Sequence, residues 1–287
     1  MTETQIQPRV ARGVAVMTAA SLLVSLVDGT AKLLSESHSV LVVAWARFSV
    51  AFLFVLPVAL WKFGLRCWPR RHLRAHVMRT CFLVGAMTLF FASLQTTALA
   101  DAIVAFFVAP SVALLLAVIL LGERATVMAC ASLVLGMTGV SIAVQPTATP
   151  TLGILMALAA GVLMGFYLVA TRVAGNTSHP LRTLVFQCGF GALLLAPFAL
   201  PHLVVPNLTD AGLFAVLGGV SAGVHLMVIR AFQLAPTATL APLIYLELVG
   251  AAAVGYLFFG DIPNTPTMVG AGLIAISGLL AWRAAAV

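Results

Sequence analysis

Ten stretches of about twenty apolar residues follow one another along this chain, and those run lengths exclude most folds at once. A helix needs about 20 residues to cross the hydrocarbon core of a bilayer, and inside lipid each backbone N–H and C=O must be satisfied within its own segment. The stretches fall at approximately 12–34, 40–61, 77–97, 101–121, 127–145, 152–173, 181–200, 210–232, 237–259 and 267–284. They predict an all-α membrane protein with ten transmembrane helices and no separate soluble domain. Composition is the check on that reading. With 62% hydrophobic and 8% charged residues over 287 positions, a soluble domain would lack the charge to cover its surface. Cys67, Cys81, Cys130 and Cys188 have neither the spacing of a disulfide framework nor that of a zinc site. Arg9 and Arg12 precede an apolar run too long for a cleaved leader, so it reads as the first spanning helix.

Orientation follows from the basic residues. The connections are short and rich in turn formers ("QPTATPT", "PHLVVPNLTD", "GDIPNTPT"), except for "KFGLRCWPRRHLRAH", which holds Lys62, Arg66, Arg70, Arg71 and Arg74. Positive loops stay in the cytoplasm. Placing this loop inside puts both chain ends inside, in the inner (plasma) membrane of a cell. Arg9, Arg12, Arg79, Arg124, Arg172, Arg182, Arg230 and Arg283 then sort to the same side, and Glu36, Asp210 and Asp261 to the other. The net charge of +7 is therefore read as topology and not as a nucleic-acid patch. Trp61, Trp68 and Trp282 fall at inner boundaries, as interfacial anchors do.

The chain also repeats itself. The segment from Ala109, "APSVALLLAVILLGERATVMACASLVLGMTGVSIA", aligns with the one from Glu247, "ELVGAAAVGYLFFGDIPNTPTMVGAGLIAISGLLA". Gly122-Glu123 meets Gly260-Asp261, and Gly139 meets Gly278 after a one-residue shift. Upstream, Gly13 pairs with Gly153, Lys32 with Arg172 and Pro57 with Pro197. Two five-helix repeats result, 1–145 and 146–287. An odd number of crossings inserts the second upside down, the inverted arrangement that places a transporter's substrate site near the midplane between repeats.

The pattern around Pro110, Gly122, Glu123, Arg124 and Gly139, with Gly260, Asp261 and Gly278 in the second copy, resembles the drug/metabolite transporter superfamily in its ten-helix EamA-type branch. The likeness covers the whole chain. It implies a small-molecule permease that is not an enzyme, with an amino-acid exporter, aromatic ones included, as the nearest kind; a multidrug exporter of lipophilic cations is the alternative. The family's second copy often reads Glu-Pro and then Gly-Glu. Here the residues are Glu247-Leu248 and Gly260-Asp261, so span nine lacks the proline that would break it there.

Ionisable residues inside spans are the candidate working parts, because a charge at mid-membrane is costly and kept for function or pairing. At 1.5 Å per residue, Glu247 lies about 15 Å from the inner end of span nine and His225 about 10 Å from the same end of span eight. Their similar depths allow a contact between them. Facing a cavity, Glu247 could exchange a proton or meet a substrate ammonium. Asp28 and Lys32 share a helix face, being four residues apart, and Arg47 reaches a similar depth. Asp28–Lys32 and Asp28–Arg47 are the possible pairs. Their roles are either to lock spans one and two or to receive both charges of a zwitterion. Gln95, Asp101 and Gln187 are further polar candidates. Phe106, Phe107, Tyr167 and Tyr245 are candidates to enclose a flat substrate, and the repeat alignment sets Phe107 opposite Tyr245.

Gly161–Gly165 and Gly219–Gly223 have the small-xxx-small spacing that lets membrane helices approach. The second pair also forms "GVSAG", a match to G-x-S-x-G with His225 four residues beyond Ser221, the pattern of an intramembrane serine protease. No strand precedes it, which weakens that reading. No motif for a metal, nucleotide or other cofactor is present. The expected partners are a small-molecule substrate and the bilayer, in a monomeric state, with export either down a metabolite gradient or coupled to proton entry through Glu247.

Overall fold

The computed structural model of the protein describes residues 3–284 apart from 70–71, 94–95, 98, 146–151, 176–177 and 261–264. Among the described residues every regular element is helical. The α-helices are α1 (Glu3–Leu34), α2 (Val40–Phe63), α3 (Leu73–Ser93), α4 (Leu99–Phe106), α5 (Ala109–Leu121), α6 (Val127–Val144), α7 (Leu152–Gly175), α8 (Pro180–Ala199), α9 (Leu208–Leu234), α10 (Thr237–Leu240), α11 (Leu246–Val254) and α12 (Thr265–Ala284). Nine helical stretches among the described residues are long and apolar enough to cross a membrane, and Thr265–Ala281 is a shorter apolar tenth. The third crossing starts at Leu73, earlier than its apolar run suggests, which carries Arg79 about 9 Å into the helix.

Local chemistry sets the helix ends. Leu121 is followed by Gly122 at φ 64°, and the Glu123 N–H returns 3.2 Å to the Ala117 carbonyl, so the last turn of α5 is closed by a left-handed glycine. The aligned Gly260 does the same at φ 70°, its N–H bonding the Gly255 carbonyl. At the N-termini, Thr126 accepts from the Ala129 N–H (3.1 Å) and Asn207 from the Asp210 N–H (2.8 Å).

Two crossings are broken. The fourth stops at Phe106 and resumes at Ala109, with Pro110 in the first turn of α5. The ninth starts as the single turn α10, tightens to a 3₁₀ stretch over Ala241–Tyr245, and resumes as α11. Proline has no N–H, so Pro110 and Pro242 each free the carbonyl four residues earlier. The break in span nine thus exists without a proline after Glu247, because Pro242 supplies it one turn sooner.

Packing runs mostly between residues 1–145 and 146–287. α1 lies on α9, α2 on α8, α3 on α7, and α6 on α12; α11 lies on α1, and α4 and α5 lie on α7. Exchanging each crossing with the one five places later maps this set onto itself: α3–α7 becomes α9–α1, and α2–α8 and α6–α12 are their own images. Small residues set the closest approaches. A Cβ on Gly161 would stand 2.5 Å from the Phe106 carbonyl oxygen, and one on Gly165 2.6 Å from Val112 Cγ1. The Gly219–Gly223 pair does no such work, since Gly223 has nothing within 4 Å. On α9 the contact is at Gly218, against Val50 and the Ala51 backbone of α2. One residue is about 100° of helix rotation, more than spacing alone can resolve. Ser132 and Ser277 pin α6 to α12 reciprocally, each hydroxyl donating to the other's carbonyl (2.7 and 2.8 Å).

The side that holds Lys62, Arg182 and Arg230 is called the basic face below. Burial first, and then these three cations, hold the His179 imidazole below its ordinary range.

Candidate functional site

The two broken crossings meet at their breaks. The Tyr245 hydroxyl donates 3.3 Å to the Phe107 carbonyl, the two rings pack edge-on at 5.7 Å, and Ser111 also bonds that hydroxyl. Gly136 of α6 leaves room for the Tyr245 ring, which is fully buried. The repeat alignment set these two residues opposite each other, and they touch. Phe107 and Tyr245 are packing and hydrogen-bonding partners here, and Phe106 packs tilted against Phe90, ring centroids 4.9 Å apart.

Beside this junction lies a charged cluster from three helices. Asp28 of α1 and Glu247 of α11 hydrogen-bond through their side chains, and Arg47 of α2 acts electrostatically on both. Ser25 Oγ donates 2.8 Å to the Glu247 carbonyl, and Gly250 lets α11 approach Leu22 and Ser25 of α1. Asp28 is exposed and Glu247 and Arg47 are half-buried, although all three sit deep within crossings.

The expected Glu247–His225 contact is replaced by Glu247–Asp28. Spans eight and nine are neighbours in sequence, but α9 packs on α1 and α2 while α11 packs on another part of α1. Equal depth did not make them partners. Of the groups acting on Asp28, Arg47 is the leading charge and Glu247 the side-chain hydrogen-bond partner. Ser221 and His225 are both buried, yet Ser221 Oγ and His225 Nε2 each lack a hydrogen-bond partner, so they do not bond each other. The serine–base relay that a protease requires is not formed. Gln95 lies outside the described residues, as does the Asp101 side chain.

Sequence reasoning missed a second cluster. Arg79, sorted by topology to the inner boundary, is fully buried among α3, α7 and α8. Its guanidinium donates to Gln187 Oε1, to Thr171 Oγ1 (3.4 Å) and to the Thr183 carbonyl (3.5 Å), and lies over the Tyr167 ring at 5.5 Å. The Tyr167 hydroxyl bonds the same Gln187 oxygen at 3.3 Å. Gln187 and Tyr167 were therefore polar and aromatic candidates whose shared partner was overlooked. The signal was present in the helix start: a crossing beginning at Leu73 puts Arg79 almost two turns inside. Arg47 and Arg79 both lie close enough to act electrostatically on His225 and Cys188.

Each face carries a tie between the two halves. On the basic face, Glu123 accepts from Arg172 Nε (3.3 Å) and from the Ala238 N–H (3.0 Å). It thereby caps α10, whose own N-cap is a proline with no side-chain acceptor. Arg172 also donates to the Phe232 carbonyl. On the opposite face, His38 Nε2 sits 3.0 Å from Asp210 Oδ2.

The profile of the EamA-like transporter family matches the chain twice, over residues 11–145 and 151–283. An uncharacterized transporter from Archaeoglobus fulgidus is 28% identical over 84% of this chain and 86% of its own length. An S-adenosylmethionine uptake transporter from Rickettsia prowazekii is 25% identical over 81% of this chain and 79% of its own. A solved crystal structure, 17% identical, superposes with a TM-score of 0.79 over 99% of this chain and 98% of the other, and shares the fold.

Proposed function

Because the chain belongs to the EamA-like transporter family, matched over both halves, it is a membrane transporter of small molecules and not an enzyme, and we propose that it exports amino acids or amino-acid-derived metabolites, aromatic ones included, across a bacterial inner membrane. Both chain ends lie in the cytoplasm, on the side of the basic loop. The observation that carries this reading is the Asp28–Glu247–Arg47 cluster. A zwitterion brings an ammonium and a carboxylate, and the cluster offers carboxyls for the first and a guanidinium for the second, half-buried where such interactions are strong. A relative named for S-adenosylmethionine, itself an α-amino acid, supports the class.

Transport proceeds by alternating access, the repeats 1–145 and 146–287 rocking about the mid-membrane cluster. The helix pairing that maps onto itself, and two broken crossings meeting at their breaks, support an inverted-repeat carrier. The driving force is proton entry. A hydrogen bond between two carboxyl groups requires a proton on one of them, and a substrate ammonium competes for the same oxygens.

Counterflow in proteoliposomes tests the reading. Amino acids, aromatic and aliphatic, are compared with a cationic dye. Saturable amino-acid counterflow with no dye uptake is expected. Dye uptake alone would favour lipophilic cations drawn to the two carboxyls, and flux without saturation or counterflow would indicate a channel.

A further inference from the structure

Among the described residues, the buried Arg79 has no carboxylate to answer it. Every acid with a described side chain is placed elsewhere: Asp28 and Glu247 with each other beside Arg47, Glu123 with Arg172, Asp210 with His38, and Glu36 exposed at the opposite face. Arg79 holds only neutral acceptors, and its Nε, fully enclosed, has none. Gln187 is oriented by two donors, Arg79 and the Tyr167 hydroxyl, both of which take its oxygen. Its amide nitrogen must therefore face away from them, and that buried NH₂ also lacks an acceptor. Arg79 and Gln187 have zero exposure. A guanidinium kept inside a membrane protein without a counter-charge is expensive unless an anion visits it.

We infer that Arg79 and Gln187 form a carboxylate subsite on the transport path, sealed in the present conformation and filled by the substrate's carboxylate in the state open to the basic face. Resting on the zwitterion reading above, this divides the labour along the path: Arg79 takes the carboxylate as the substrate enters from the basic side, and the Asp28–Glu247 pair takes the ammonium. Each group holds a buried donor without an acceptor, Arg79 Nε and Gln187 Nε2, and a carboxylate can accept from either kind. Guanidinium–carboxylate geometry favours two-point contacts. Arg79 is then a specificity residue, which admits carboxylates and disfavours amines that lack one.

The experiment has a transport arm and a binding arm. In counterflow, wild type is expected to prefer L-phenylalanine to L-phenylalanine amide. Arg79→Gln should raise KM for the acid about tenfold, the loss expected for one charged hydrogen bond, and leave the amide within about twofold. In detergent, sodium benzoate should raise the unfolding temperature of the wild type above that in sodium chloride of equal ionic strength, and should not raise it for Arg79→Gln. Gln187→Glu covers the case in which Arg79→Gln does not fold. It supplies a built-in carboxylate, so it should fold, and it should no longer respond to benzoate. If Arg79 only braces α3 to α7 and α8, the variants lose stability while acid–amide preference and benzoate response persist; that outcome overturns the subsite and leaves amino-acid transport standing. Benzoate stabilisation that requires Arg79, in a protein that carries no amino acid, would sustain the subsite and overturn the transport reading instead.

Discussion

Span four and span nine are aligned copies that break at the same place, and only one of them carries charge at the break. Phe107 answers Tyr245, and Ala109, 1% exposed, answers Glu247. In span four the break is short, closed by Pro110, and packed apolar against Gly161 and Gly165. In span nine it widens into the 3₁₀ stretch before α11, and the first turn of α11 presents Glu247 to Asp28. The difference teaches that the repeat supplies geometry, two opposed breaks at mid-depth, while single residues on one copy supply the chemistry. The Glu247 carboxyl meets Asp28 of α1 and the charge of Arg47 of α2. Ala109 is buried, and its carbonyl oxygen lies against Gly165 of α7.

The sharpest way to break that comparison is to move the acid. Ala109→Glu buries a charge with no partner, a penalty of several kcal/mol against a total stability of about 5–15 kcal/mol. Membrane extracts should yield no monodisperse protein by size exclusion, and adding Glu247→Ala should not rescue it. A well-folded double variant would show that the two breaks are interchangeable. Glu247→Gln is the next largest effect. Accumulation driven by an imposed pH gradient should fall to the level of empty liposomes, while counterflow without a gradient continues. Retained uphill transport would remove the proton role.

Two smaller changes probe the junction itself. Gly136→Ala pushes a methyl group into the Tyr245 ring, which α6, Phe107 and Ser111 hold on several sides. The expected cost is about 1–3 kcal/mol, read as a lower midpoint of thermal unfolding in detergent. Tyr245→Phe keeps the ring and deletes the hydroxyl that joins the two breaks. Its cost should be about 1 kcal/mol, with counterflow slowed and not abolished. An equal loss from Phe107→Leu would mean that ring packing, and not the Tyr245 hydroxyl, holds the breaks together.

Some of this architecture was legible in the residues and some was not. The crossings, the Gly122-Glu123 and Gly260-Asp261 correspondence and the apposition of Phe107 with Tyr245 could be read, because run length, turn chemistry and repetition act along the chain. Arg79 was read as a boundary residue because the apolar run begins several residues after the helix does. Depth, the one coordinate that a linear count yields, pairs His225 with Glu247, and spacing picks out Gly219–Gly223 where the close approach is at Gly218.

By itself, the amino-acid sequence determined that this protein is a series of membrane-crossing helices and roughly where along the chain each one lies. The reason is that lipid imposes one requirement on every segment: apolar length with an internally satisfied backbone. Only the tertiary structure decided who faces whom. In a membrane bundle the side toward lipid and the side toward neighbours are both apolar, so no polar stripe marks the inward face of a helix. Asp28 with Glu247, Arg79 with Gln187, and Glu123 at the start of α10 are set by rotation about helix axes and by which helices pack together.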